Sequence, residues 1–322
     1  MKLYVGVVAT AATLALAPAS TVLAQDTYPS QPIEFVAHTN PGDSIDLFLR
    51  NLGEILNGEG LVTQPIQVVN RVGGSSAVAN AYVAGRKGDP HILISSQPSQ
   101  ITTPLRQGLD FSWRDHTPVA NLMYDENTIA VLADSPLQTI EDWIEAARAA
   151  PFAITHGTPV FGAADYIVAN LIQNDQGIEL NLMAHEGAAE NITSLLNRSV
   201  DSIGANPSEL VELERSGRVR ILAVASPQRS PAIPHVPTLL ESGIDVEFFS
   251  FRGIMLPGEV PQTAVDFWVD VIGKAVQTQT WLDFVDRNNS VPYYLPADEF
   301  RAVLEASEAQ YSQIFRELGI IQ

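Results

Sequence analysis

The sequence has no cysteine. Disulfides, thiolate metal sites, cysteine nucleophiles and an acylated lipoprotein cysteine are thereby excluded. Basic residues are scarce: 18 Lys and Arg stand against 37 Asp and Glu, a net charge of −19. So acidic a chain repels phosphate backbones and anionic headgroups, and no nucleic acid or anionic membrane is expected as a partner. The six histidines form no H-x-x-x-H or H-E-x-x-H pattern, so no metal is expected. The G-x-S-x-G, G-x-G-x-x-G and P-loop motifs are also missing. His38, Asp43 and Ser44 lie close in sequence, but neighbouring strand residues face opposite ways and nothing brings the three together as a nucleophile set. Neither enzymatic activity nor a cofactor is expected.

The one long apolar run is at the N-terminus. Lys2, then Leu3 to Leu16, then Val22-Leu23-Ala24 read as the charged start, apolar run and small-residue cleavage pattern of a secretory signal. The run is short for a membrane span and is broken by Pro18. The signal is placed at residues 1–24, the mature chain begins near Gln25, and the protein is expected to be soluble in a bacterial-type periplasm.

What remains is enough for two cores: 322 residues, 46% hydrophobic and 17% charged, with no low-complexity tract. The chain is organised around IEFVAHTNPGDSIDLFLR, Ile33 to Arg50. It reads as a strand to His38, a Pro-Gly loop and the first turns of a helix. Such a loop exposes the unpaired N–H groups of a helix start, a seat for a ligand's negative group. Asp43 opposes this, because it puts a carboxylate where an anion would sit.

The alternation of strand, loop and helix continues. Strands are expected at Ile66 to Val69, Ile92 to Ser95, Thr128 to Ala133, Ala153 to His156, Leu180 to Ala184, Val200 to Ala205 and Val219 to Ala225. Helices are expected at Ala77 to Ala84, from Thr139 with a capping box to Asp142, at Ala163 to Ile172, Ala188 to Leu196, and from Pro207. Gly108 to Asn127 is aperiodic and reads as a crossing between lobes. Val246 to Leu256 reads as an extended return, and the remainder as mostly helical. The fold class is α/β: two Rossmann-like lobes with a ligand cleft between them, lobe 1 from residues 25–126 plus 250–322 and lobe 2 from 127–249. The crossings near Tyr124 to Asn127 and Phe248 to Ser250 are expected to act as the hinge.

Pro41-Gly42 with Asp46, Val69-Asn70-Arg71-Val72-Gly73-Gly74, Gly157 to Gly162, Ile221-Leu222-Ala223-Val224-Ala225-Ser226 and the run Arg229 to Thr238 are together similar to the motifs of the solute receptors of tripartite tricarboxylate transporters, the Bug-type binding proteins. The resemblance spans nearly the whole mature chain. It implies a periplasmic binding protein of type II-like architecture, expected to be a monomer, that delivers a small organic acid to membrane permease subunits by lobe closure. It also implies that the ligand's carboxylate is held by the first loop and by the loop matching Gly157 to Ala164. Signalling to a sensor kinase remains an alternative.

The chain departs from the family pattern at those loops. Asp43 replaces a glycine, Ala163 and Ala164 replace small hydroxyl residues, and Pro159 and Phe161 replace small polar ones. Each change removes a donor or adds repulsion for an anion, so a ligand with an amine or phenol paired to Asp43 is a second alternative. The candidate ligand-binding residues are Thr39, Gly42, Asp43, Ser44, Ser75, Ser96, Thr158, Phe161, Gly162, His185 and Phe249. Blander roles stand beside them. Asp43 or Ser44 would merely cap a helix, Asp46 would tie down loop N–H groups, Ser75 would start a helix, Phe161 and Phe249 would pack in a core, and His185 would sit in a solvated loop.

Overall fold

Ile33–Ala37 alternates its side chains between two apolar layers and forms a strand, β1, buried on both faces in the first half of the molecule. The computed structural model describes residue 1 and residues 28–159, 164–185, 187–317 and 319–322. β1 runs parallel to β2 (Ile66–Asn70), with Ala37 opposite Asn70, and parallel to β3 (Ile92–Ser96), with Phe35 opposite Leu93. Three further strands extend the sheet: β4 (His116–Asp125), β10 (Ser250–Pro257) and β11 (Val291–Pro296), giving the order β11-β4-β10-β3-β1-β2. β10 is antiparallel to both its neighbours. One face is covered by α1 (Ser44–Gly58), α8 (Gln262–Ala275) and α9 (Gln279–Arg287), which bring Phe48, Leu52, Trp268 and Trp281 against Phe35. The other carries α2 (Ala77–Ala84), α3 (Ser99–Gln107) and α10 (Ala297–Glu317), with Val83, Ile101 and Phe300 against Val36.

The second sheet has the order β7-β6-β8-β5-β9, from β5 (Thr128–Leu132), β6 (Thr155–Thr158), β7 (Asn181–Ala184), β8 (Ser202–Ala205) and β9 (Val219–Val224). β6 is parallel to β7 and β8, and β5 is antiparallel to β8 and β9. Its helices are α4 (Ile140–Ala149), α5 (Ala164–Gln176), α6 (Ala188–Leu196) and α7 (Pro207–Arg215). The start of α4 is the expected capping box: Asp142 N–H donates to Thr139 Oγ1 at 3.1 Å and Thr139 N–H to Asp142 Oδ2 at 3.0 Å. Its inner residues Trp143, Ile144 and Ala147 are buried, and the Trp143 indole donates to Ser202 Oγ at 2.8 Å.

Only Glu126 and Asn127 separate β4 from β5. The return connection lies beside them: Ala225 N–H donates to Asn127 O at 2.8 Å, and Phe248 N–H to Ala225 O at 2.7 Å. α10 serves both halves. Phe300 packs on Phe251 at 5.8 Å between ring centroids, Tyr311 packs on Phe248 at 6.1 Å, and Asn174 of α5 donates to Glu317 Oε2 at 2.6 Å.

Several elements differ from the expectation. β4 occupies the stretch read as an aperiodic crossing. It is buried on both faces, so it lacks the alternation that marks a half-exposed strand, and Pro118 and Asn121 disguise it further. The Asn121 amide is accommodated by donating to Tyr293 O at 2.7 Å. β11 lies between two expected helices, in a stretch to which no element was assigned. It is an edge strand, where Pro292 and Pro296 are tolerated and the register slips between Pro292 and Leu295. α3 was missed because Pro104 interrupts its interior. β6 begins two residues late, Val246 to Phe249 stays outside the ladder that starts at Ser250, and Leu47 is exposed although it falls within the helical stripe. The expected signal lies outside the described residues except for Met1.

Gly253 of β10 faces a close approach. A Cβ there would stand 2.5 Å from the Ala120 carbonyl oxygen and 2.6 Å from Phe300 Cζ. Gly253→Ala is expected to destabilise the chain by about 1–3 kcal/mol, seen as a lower urea midpoint with an unchanged slope.

Candidate functional site

The carboxyl ends of β1, β2, β3 and β4 lie along one edge of the first sheet, and those of β6, β7, β8 and β9 along one edge of the second. The loops that follow them carry most of the polar side chains of interest. Ligands of open α/β sheets bind at such edges.

In the β1–α1 loop, Asp46 is the organiser. It is 1% exposed, and its Oδ2 accepts Gly42 N–H at 2.9 Å and Arg50 Nε at 2.8 Å. Its Oδ1 accepts Arg50 at 2.9 Å and Asn70 Nδ2 at 2.9 Å, and the same Asn70 amide donates to Thr39 O. The Arg50 guanidinium, helped by Gly42 and Asn70, holds the Asp46 carboxyl down to about 2 against the cost of its burial. Asp43 stands at the N-cap position of α1, yet its side chain does not bond the helix. It turns back, and Oδ2 accepts Asn40 N–H at 3.0 Å while Asp43 N–H donates to Asn40 O at 3.1 Å. Gly42, Asp43 and Ser44 are exposed, and Thr39 Oγ1 is buried without a partner among the described residues.

The β2–α2 loop takes an unusual path. Gly73, Gly74, Ser75 and Ser76 all have positive φ, 136°, 58°, 51° and 85°. The glycines adopt this freely, and each serine costs about 1 kcal/mol or more. The strain is held by Thr103 Oγ1 donating to Ser75 O at 2.7 Å, Ser76 Oγ to Ser99 O at 3.2 Å and Asn80 Nδ2 to Ser76 O at 3.0 Å. Ser75 is thus left exposed at the edge while Ser76 is buried as a structural tie. Next to it, His38 is neutral: burial, with the nearby Arg252, lowers it to about 4. Gln97 Nε2 donates to His38 Nε2 at 2.5 Å, so His38 Nδ1–H points to Ser95 Oγ at 3.2 Å. Ser96 Oγ, 1% exposed, has no partner among the described residues.

In the second sheet, Thr158 ends β6 fully buried, its hydroxyl unpartnered among the described residues. His185 N–H donates to Thr158 O at 2.9 Å, which sets the β7 end beside it. Gly157 is required by closeness, since a Cβ would fall 2.5 Å from Asn191 Oδ1. Asp165, in the first turn of α5, accepts Asn127 Nδ2 at 3.0 Å, and burial raises its carboxyl to about 6. This contact ties the β4–β5 connection to α5. Arg252, whose charge reaches His38, donates to Asp125 Oδ2 at 2.7 Å. Asp125 is two residues from Asn127, and Asn127 holds Asp165. The two groups of loops therefore open beside one continuous line of contacts.

The family model described as the tripartite tricarboxylate transporter family receptor matches residues 54–320. The chain belongs to this receptor family. The receptor is 25% identical to BugT of Bordetella pertussis over 314 residues, 95% of each chain. A TctC solute-binding protein from Polaromonas, solved without ligand, superposes with a TM-score of 0.83 at 28% identity, covering 90% of this chain and 100% of that one. Rpa4515 of R. palustris, solved with adipate, gives a TM-score of 0.72 at 21% identity, covering 91% and 98%. The receptor is a solute-binding protein rather than an enzyme, with the two-lobed α/β fold of type II-like periplasmic binding proteins. No helix among the described residues is long and apolar enough to cross a membrane, and no metal-ligating cluster occurs among them.

Of the residues expected at the site, the structure gathers Thr39, Gly42, Asp43, Ser44, Ser75 and Ser96 along one edge, and Thr158 with His185 along the other. Phe161 and Gly162 lie outside the described residues. Phe249 lies just before β10, next to the Asp125 end of β4, where its ring meets Tyr124 at 5.1 Å and Tyr293 at 5.7 Å, beside a cavity of about 400 Å³ that it shares with Val303 and Tyr311 of α10. The sequence reading passed over Asn127, Asp165, Asn191 and Arg252. Buried asparagines and an aspartate at a helix start carry no motif, and Arg252 sits within an apolar strand.

The two perturbed aspartates predict opposite pH responses. Asp46, depressed from about 3.9, contributes stability above pH 4 that is lost as pH falls through about 2. Asp46→Asn is expected to lose roughly 1–2 kcal/mol at pH 7, discounted for the solvent-facing side of Arg50, and the difference vanishes near pH 2. Asp165, raised to about 6, holds in the folded state a proton that the unfolded chain releases near pH 4, so its contribution falls as pH rises from about 4 to 6. Asp165→Asn is expected to be more stable than the parent above pH 6 and no more stable at pH 4. Chemical denaturation across pH 2.5–8 reads both.

Proposed function

We propose that the receptor captures a small organic acid in the periplasm, after removal of residues 1–24, and delivers it to the permease subunits of a tripartite transporter. The observation that carries this reading is the set of buried hydroxyls unpartnered among the described residues, Thr39, Ser96 and Thr158, at the facing edges of two sheets in a chain of this family. An unpaired buried hydroxyl costs on the order of 1–3 kcal/mol, recovered when a ligand oxygen supplies the missing partner. Rpa4515, of the same fold, is solved with adipate, a small carboxylate.

Lobe 1 comprises residues 25–126 and 250–322 and lobe 2 residues 127–249, in this reading. A ligand bridging them stabilises the closed state by its differential affinity for that state, and the closed form is the one a permease recognises. The Glu126–Asn127 connection and Phe248 to Ser250 are the segments that bend.

A thermal-shift screen of the chain from Gln25 onward, against mono-, di- and tricarboxylates and amino acids, tests the reading. A ligand at 100–1,000 times its Kd should stabilise by about 3–4 kcal/mol and move the melting point by several degrees. Thr158→Ala or Ser96→Ala is expected to weaken that ligand about tenfold by calorimetry. A screen in which no small acid moves the melting point removes the organic-acid reading.

A further inference from the structure

The backbone donors of the β1–α1 loop from Asn40 to Asp43 are already engaged. In the β1–α1 loop, Asn40 N–H is held by Asp43 Oδ2, Gly42 N–H by Asp46 Oδ2 and Asp43 N–H by Asn40 O, while Pro41 has none. At the end of β3, Gln97 N–H goes to Gln100 Oε1 at 2.7 Å, and Gln97 Nε2 goes to His38 Nε2 and Ser99 Oγ. Gln100 Nε2 donates to Ser95 O at 2.5 Å. Two neighbouring cations are paired with carboxylates, Arg50 with Asp46 and Arg252 with Asp125, while Arg71 lies over the Tyr82 ring at 4.2 Å.

Acceptors are left over. Asp43 keeps Oδ1 without a partner among the described residues, and Asp43 is exposed. His38 holds the Gln97 amide nitrogen inward, so Gln97 Oε1 is also unengaged among them. Ser96 Oγ, a hydroxyl that donates or accepts, is buried and unpartnered among the described residues. A ligand carboxylate beside Asp43 would meet a like charge. An ammonium would meet partners.

We propose that the ligand is zwitterionic. Its ammonium lies at the first-sheet edge against Asp43 and Gln97 Oε1, and its carboxylate lies at the second-sheet edge toward Thr158. Asp43 selects it in two ways: it attracts the ammonium, and it occupies the Asn40 N–H that a carboxylate would use. This rests on the reading of the cleft as the binding site for a small organic acid, and it narrows that acid to one carrying an amine.

The test uses matched pairs in which an ammonium replaces one carboxylate on the same carbon chain: 5-aminopentanoate against adipate, 4-aminobutanoate against glutarate, β-alanine against succinate. The α-amino acids and betaine are included in the panel. Calorimetry on the chain from Gln25 is expected to show amine-bearing acids binding at least tenfold tighter than the dicarboxylates, with the preference shrinking as salt rises. Asp43→Asn is expected to keep the loop, since an amide oxygen still accepts Asn40 N–H, and to weaken the amine-bearing ligand about tenfold. Asp43→Gly is expected to tighten the dicarboxylates. Tighter binding of dicarboxylates by the parent chain overturns the inference while leaving the organic-acid function standing. A preference that survives Asp43→Asn unchanged, with the melting point retained, also overturns it, because Asp43 is then not the selecting group. Failure of every acid and amino acid to bind the parent removes the functional reading itself.

Discussion

Two residues, Glu126 and Asn127, carry the chain from one sheet to the other, and the arrangement of the site follows from that short span. A connection this brief forces the end of β4 and the start of β5 together. The strands parallel to β4 in the first sheet, and the strands antiparallel to β5 in the second, then finish at the same place. Every loop that follows such a strand opens toward the junction. Polar groups buried there need partners, and they find them around the connection: Asn127 with Asp165, Ala225 with Asn127, Ser226 with Glu126. Ligand site and connection are thus built from adjoining residues.

Much of this architecture was legible in the sequence. Ala77 to Ala84 and Ala188 to Leu196 follow the helical pattern from end to end, and the Thr139–Asp142 capping box formed as read, because local chemistry decides those elements. What escaped was decided by tertiary context. β4 is covered on both faces and so shows no period. β11 survives its prolines only because it is an edge, and α3 forms around an internal proline because Ile101 and its neighbours are buried. The loops at the strand ends were likewise legible, since Gly, Pro and Ser clusters announce them. The side chains reaching those loops from elsewhere, Asn127, Asp165 and Arg252, were not. Their role depends on what the fold brings near.

The first loop illustrates how little sequence change redirects a site. A glycine there would leave the backbone donors free, whereas Asp43 supplies its own carboxylate to Asn40 N–H. At about 4 Å in a partly screened setting, two like charges repel by about 4 kcal/mol, which exceeds the gain from one charge-assisted hydrogen bond. The balance of the loop therefore turns on this one side chain. Asp46 shows that the loop's shape is maintained separately, by Arg50, Gly42 and Asn70. Shape and charge preference reside in different carboxylates.

α10 lies against both halves of the molecule, with Phe300 on the first sheet and Tyr311 and Glu317 reaching Phe248 and α5. Any relative rotation of the halves must slide this helix over one of them. On the lobe-closure reading proposed above, the populations of open and closed forms are set partly by packing remote from the ligand, and the measured affinity is the intrinsic one scaled by the fraction already competent to bind. Cargo strength in this receptor is in that sense a property of its last helix as well as of its loops, and drift in α10 can retune it without altering which molecule is held.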